Sequence, residues 1–521
     1  MSIKLSKKES VFRNELIFAA DAKAVNLDNT LTNLFMLLRY DGKRVKAGRG
    51  RDVRTYDLDV LRKYLEALEE SGELSGFKEN TEAANDWLRS NLVTMVFRGN
   101  LQKERISSLR PIHLESYKIR NPSHSRDYNT ADQIYLMLRK RPEILNELKS
   151  YLSKGWNDVT KEITPDLQLD VDSVGILQLI KNIKAPHLES PIEINRLQPV
   201  LASQADLFCE DIHRLLVYRE VIPRNVFIEY LRTLTGFHLS LYTQKLIHLL
   251  PLMLREKTTK INDDRTIIVD VTGNLDSEVS RFACADMEKT INGLYDYFKA
   301  TFQINALKMR VEFSGRSLEN IDELLALYAN PPDNFDAFYE AKLSEILNNL
   351  EEEDRPAVLE NIQYEETNFD KYVQILLKAK GAYQYKFYIK FLDNISMKNT
   401  EYKFLEDGRS RRHPRRATLG SKLLETLVQL LVLEQDSKAN NGYRPRALSI
   451  EELMSKLRER YGIIINGLNE ACFADADVQA HVAFQENVDA FKNKLRQTGF
   501  YTDLSDASIL QKIRPRYQFE N

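Results

Sequence analysis

Apolar residues recur at i, i+3, i+4 and i+7 along most of the chain, with charged residues between them. The segments "LDVLRKYLEALEES", "ADQIYLMLRKRPEILNELKSYLSKGW", "VFIEYLRTLTGFHLSLYTQKLIHLLPLMLRE" and "FDAFYEAKLSEILNNLEEE" carry this spacing, which predicts amphipathic helices. Strand-like runs are few: "TMVFRG" near residue 96, "RTIIVDVTG" at 265–273, "LKMRVEFSG" at 307–315, and "SILQKIRPRYQF" near the C-terminus. The middle two flank a helical run, "SEVSRFACADMEKTINGLYDYFKATF", and predict a short strand-helix-strand unit. A Rossmann domain needs such units repeated, so a small sheet among helices is expected instead. The fold class is mainly α and multidomain, with small embedded β elements.

Polar, proline-containing breaks place boundaries at about residues 125 and 405. Three regions follow: 1–125, helical with a basic loop; 126–405, helical with the strand-helix-strand unit; and 406–521. The last has the most specific pattern. "SKLLETLVQLLVLEQ" predicts a helix with Leu423, Leu424, Leu427, Leu430 and Leu431 on one stripe. "LSIEELMSKLRERYG" predicts a second, with Ser449 as N-cap, Glu451 and Glu452 in the first turn, and Gly462 past the end. "ENVDAFKNKLRQTGFYTDLSDASILQKIRPRY" predicts a third helix ending near Gly499, then two extended runs around "SDAS". Helix, helix, helix, hairpin is the order of a winged helix.

Composition narrows the functional classes. The 521 residues are 43% hydrophobic and 29% charged, ordinary values for a soluble, largely folded protein. The net charge of -2 means that any nucleic-acid contact must come from local segregation of charge. Cys209, Cys284 and Cys472 stand far apart, without CxxC pairs, so neither a zinc site nor a disulfide framework is expected. The N-terminal residues differ from a secretory signal. The longest apolar stretch is broken by Lys245, His248 and Pro251, short of the roughly 20 residues of a membrane span. A cytoplasmic protein with no membrane contact and no cofactor is expected.

Segregated charge appears in three places. "RSRRHPRR" holds Arg409, Arg411, Arg412, Arg415 and Arg416, and reads as a basic linker into the first C-terminal helix, with Pro414 discouraging helix at His413. The third helix offers Lys492, Lys494 and Arg496, and the following hairpin Lys512, Arg514 and Arg516. "YDGKRVKAGRGRDVRTYD" offers Lys43, Arg44, Lys46, Arg49 and Arg51 among glycines, suited to a phosphate backbone. All of these are candidate contacts to double-stranded DNA. The alternative is that winged helices also bind proteins, and lysines on a helix commonly form its solvated face.

Catalytic signals are sparse. No GxxxxGK[ST] loop, GxSxG elbow, strand Asp with a paired ExK, or R-x4-H pair occurs. His238 and His248, on an apolar run, suit a core or its boundary better than general-base chemistry. One constellation stands out: Asp270 at the end of "IIVDVTGNLDSEV", with Thr272, Asn274 and Asp276, gathers oxygen atoms that a hard cation such as Mg2+ could use. Helix capping and turn formation explain the same residues.

Taken together, "RHPRRATLGSKLLETLVQLLVLE", "FKNKLRQTGFYTDLSDASILQKIRPRY" and "IIVDVTGNLDSEVSRF" resemble a helical accessory subunit of prokaryotic multigene antiphage systems, of the methylation-associated or phosphorothioation-associated type. The resemblance implies an accessory or DNA-sensing component acting beside separate methyltransferase, ATPase or nuclease proteins, and with the segregated basic charge it leads to the expectation of a non-catalytic DNA-binding subunit. It carries over no active-site residue. A protein-binding scaffold, and a metal-dependent enzyme centred on Asp270, stand as alternatives.

Overall fold

A computed structural model describes residues 3, 5–20, 25–44, 55–96, 104–164, 166, 169–181, 183, 192–315, 318–439, 442–473, 477–501 and 512–517. The fold is mainly helical, with short two-stranded pairings between the helices. At its centre lies the helix Arg224–Glu256, 33 residues long, about 50 Å at 1.5 Å per residue. Its buried residues, from Phe227 to Leu254, lie on every side. A helix apolar all round must be enclosed, and the helices Leu27–Arg39, Ala202–Val217, Leu294–Phe313, Asn368–Ile395 and Ser421–Leu431 enclose it.

The principal core runs continuously from Phe12 to Ile513. A second core gathers residues from Tyr56 to Ile119 with Ile176 to Ile183. A buried polar junction joins three helices of the principal core. Asp211 accepts from His238 Nε2 at 3.0 Å, Tyr461 Oη at 2.7 Å and Arg460 Nη2 at 2.6 Å. Burial pushes its carboxyl up, but these donors, led by His238, hold it below the usual carboxylate value. His238 is a core residue, as its apolar run suggested.

The strand-helix-strand expectation is corrected. Residues 307–313 are the last two turns of the helix Leu294–Phe313, with Leu307 and Val311 continuing its buried stripe. Their β-branched and aromatic content read as a strand, and packing against the neighbouring helices overrides that propensity. The first run does contain a strand, Ile267–Ile268, and its parallel partner is Ile463–Ile464, just after the helix Ile450–Tyr461. Gly462 makes this possible. At φ +72° it ends the helix, and a Cβ there would stand 2.8 Å from the Arg265 carbonyl oxygen. The run near residue 96 forms the strand Val93–Val96, antiparallel to Arg105–Leu109.

The three expected C-terminal helices are present as Ser421–Leu431, Ile450–Tyr461 and Val478–Gln497. Ser449 and Glu452 form a reciprocal capping box at the second. The hairpin around "SDAS" lies outside the described residues. Among those described, no helix is long and apolar enough to cross a membrane.

Candidate nucleic-acid interface

Residues 405–417 form a β-hairpin, which corrects the expectation of a basic linker. Leu405–Glu406 pairs antiparallel with Arg416–Ala417. Toward the tip, Gly408 N donates to His413 O at 2.9 Å and His413 N to Ser410 O at 3.0 Å. That bond closes a four-residue turn whose two central positions are Arg411 and Arg412. Pro414 sits where the chain is already extended, consistent with its bias against helix.

The arginines divide sharply by depth. Arg416 is 2% exposed, and its guanidinium reaches Asp270 at 2.8 Å, Asp407 at 2.5 Å and Glu406 at 3.4 Å. Burial would lower its pKa, but Asp407 and Asp270 raise it above the usual value, so the charge is firmly held. Arg415 makes a two-pronged bond to Asp393, at 2.8 and 3.0 Å. Gly408 lies against that guanidinium, and a Cβ there would stand 2.8 Å from it. By contrast Arg409, Arg411 and Arg412 are exposed. Arg409 has only a 3.6 Å approach to Asp407, and Arg411 and Arg412 form no ion pair among the described residues. The hairpin is thus a cationic tip on an ion-paired base.

Other candidate residues take varied places. Lys494 turns its ammonium to the Leu419 carbonyl, behind the hairpin, where burial lowers its pKa. Lys492 pairs with Asp489 at 3.2 Å, and Arg496 bonds Asn493 and covers the Tyr501 ring. The exposed side of this helix carries Val478, Val482, Glu486 and Asp489, so its free surface is not basic. Arg516 reaches Glu425 at 2.6 Å and stacks on Phe500, whereas Lys512 and Arg514 are exposed. Lys43 is exposed, and Arg44 grips Asp132 at 2.9 and 2.7 Å. Lys46, Arg49 and Arg51 lie outside the described residues.

The Asp270 constellation is built into the hairpin base. One carboxylate oxygen takes Arg416; the other accepts from Thr272 N at 2.8 Å and Thr272 Oγ1 at 2.6 Å. Asn274 N bonds Thr272 Oγ1 at 3.1 Å, and Asp276 N bonds Asn274 Oδ1 at 3.1 Å, a chain of local turns into the helix Glu278–Asn292. Among the described residues no three His, Cys, Asp or Glu side chains gather to hold a metal ion.

Two residues that the sequence did not single out position this site. Asp393 anchors Arg415 from the last turn of the helix Asn368–Ile395. Asn487, fully buried, donates to Val269 O at 2.9 Å and Ile465 O at 2.8 Å and accepts from Val271 N at 2.8 Å. It thereby fixes the strand end that presents Asp270. An isolated Asn within a helical pattern gives no sign of such a role.

Comparison with curated proteins and with solved structures finds no similar chain. The family model of methylation-associated defense system protein MAD7 matches residues 7–517. The resemblance to an antiphage subunit is borne out for the methylation-associated type, and the chain belongs to the methylation-associated defense system protein MAD7 family.

Proposed function

We propose that this protein is a non-catalytic, DNA-contacting subunit of its defence system, and that the hairpin Leu405–Ala417 is its principal contact. The observation that carries this reading is the division of the arginines. Arg415 and Arg416 are consumed in an ion-paired base, while Arg411 and Arg412 stand at the turn without carboxylate partners among the described residues. Exposed guanidiniums held on a fixed element suit phosphate oxygens, because little side-chain and backbone order must be gained on binding.

Reading residues 406–521 as winged-helix-like agrees with this proposal. The segment between the first two C-terminal helices bridges to the end of the chain through Leu448 and Ile513, and Arg514 N bonds Phe500 O at 3.3 Å. A winged-helix reading calls for a pairing near this place, and exposed Lys512 and Arg514 flank the bridge. The third helix has no free basic face, so the hairpin takes the role that this helix has in other winged helices.

The test is binding to duplex DNA at two salt concentrations. Changing Arg411 and Arg412 together to Ala should weaken binding and lower the salt slope by about one per arginine. Binding that ignores both the salt and the substitutions overturns the proposal. A second reading, a contact to another subunit, is favoured by Val478 and Val482, 78% and 48% exposed on the third helix. Loss of complex assembly on Val482→Asp, with DNA binding intact, would establish it.

A further inference from the structure

A second group of arginines surrounds a cavity of about 230 Å3 that the hairpin does not touch. Its walls are the helix Leu27–Arg39, the loop from Arg120 to Asn129, and the start of the helix Thr130–Arg139. The loop is fastened at both ends. Asn121 bonds Tyr56 O at 2.7 Å and Ile106 O at 2.8 Å, and Asn33 Nδ2 bonds Ser125 O at 3.0 Å. Tyr128 and Asn129 both adopt positive φ, +53° and +72°, where the chain turns into the helix. Left-handed backbone at two consecutive non-glycine residues costs stability and persists only where the surroundings enforce it.

Charge around this cavity is unbalanced. Arg44, Arg120 and Arg126 line it, with Asp127 and Asp132. Arg44 and Asp132 satisfy each other. Arg120 donates to Asn33 Oδ1 at 2.5 Å, and neither it nor Arg126 has a carboxylate at salt-bridge distance among the described residues. Asp127 accepts from Ala131 N at 2.8 Å; burial, with Asp132 nearby, pushes its carboxyl up to about 6. Asn129 also lines the cavity, although its Nδ2, buried without an acceptor, does not open onto it. Arg120, half-buried with an amide oxygen as its partner, and exposed Arg126 therefore stand at one small space without a carboxylate at salt-bridge distance among the described residues. A guanidinium that burial has partly desolvated, as at Arg120, gains from a multidentate anionic acceptor.

We propose that this cavity binds a phosphate group, clamped by Arg120 and Arg126. The geometry also links it to the hairpin. A groove of about 670 Å3 shares Arg126 with the cavity and is lined farther along by Lys398 and by Asp393, the residue that grips Arg415. The phosphate is accordingly that of a nucleic-acid strand end lying in the groove. The cavity's chemistry stands by itself; only the nucleic-acid source rests on the hairpin reading.

The experiment uses the full chain and measures thermal stability in inorganic phosphate against chloride at equal ionic strength. Phosphate should raise the melting temperature of the wild type and of the Arg411→Ala, Arg412→Ala variant alike. Arg126→Ala, at an exposed position that no described fold contact uses, should fold normally and bind phosphate about tenfold more weakly or worse. Arg120→Gln should act in the same direction. No phosphate effect in the wild type, or one that Arg126→Ala leaves unchanged, overturns the site. A short DNA strand with and without a terminal phosphate identifies the source. Preference for the phosphorylated strand, lost in Arg126→Ala, supports the strand end; equal affinity with the inorganic phosphate effect intact assigns free phosphate and overturns that part.

Discussion

Arginine is used in two opposite ways, at the hairpin Leu405–Ala417 and at the cavity beside Arg120. In the hairpin the buried arginines are paired and the two at the turn are not: Arg416 meets three carboxylates, whereas exposed Arg411 and Arg412 form no ion pair among the described residues. At the cavity, Arg120 is desolvated enough to lower its pKa, and Asp127 offsets this only in part. A buried charge with full pairing is a structural fastening, while a desolvated charge with incomplete pairing is a demand for a ligand. Density of arginine in the sequence distinguishes neither.

The strongest way to break the comparison is at the hairpin base. Arg416→Ala would leave Asp270, which is buried and hydrogen-bonded to Thr272, with no cation at salt-bridge distance among the described residues. Breaking a buried pair from one side costs about 3–5 kcal/mol, read as a fall in the denaturant midpoint at unchanged slope. Arg412→Ala, at the tip of the same hairpin, should change stability by less than about 0.5 kcal/mol. Equal losses at the two positions would erase the distinction between base and tip.

These roles were only partly legible in the sequence. Helix periodicity, the Ser449 cap and the Gly462 stop are local signals, and they located the C-terminal helices because a capping box and a left-handed glycine are set by neighbours in the chain. The arginine cluster was visible as a cluster. Its division was not, because Asp270 and Asp393 are 146 and 22 residues from the arginines they hold. Strand pairing failed for the same reason: Ile267 pairs with Ile463, a contact with no periodic signature. The cavity drew no notice in the sequence, since Arg120 and Arg126 are ordinary single residues and Arg44 reads there as part of a basic loop, until Leu27–Arg39 and Thr130–Arg139 bring them together.

A middle-sized effect sharpens the comparison from the functional side. The junction at Asp211 lies far from both arginine groups in chemistry, joining Ala202–Val217, Arg224–Glu256 and Ile450–Tyr461 through His238, Arg460 and Tyr461. Tyr461→Phe removes one donor to a carboxylate, worth about 1.5–3 kcal/mol for a charged hydrogen bond. Stability should fall while DNA affinity at a temperature well below the transition stays at the wild-type value. A parallel loss of affinity would mean that the hairpin depends on the global core rather than on its own ion-paired base.

The smallest expected effect concerns pH, and it isolates the cavity. Asp127 faces Asp132, Arg120, Arg44 and Arg126, and its folded carboxyl titrates at about 6, above its ordinary value of 3.8. The folded state therefore binds a proton that the unfolded chain has already lost, so stability falls as pH rises through the window from about 4 to 6. Protonation also removes one negative charge from the cavity and should strengthen anion binding. Sulfate is the suitable probe, because it keeps its charge over this range while phosphate does not. The sulfate-induced rise in melting temperature should grow as pH falls through about 6. Asp127→Asn should make it large and flat across the same range, since the amide mimics the protonated acid. A wild-type response that is flat, or an Asn variant that still titrates, would place the anion elsewhere than among these arginines.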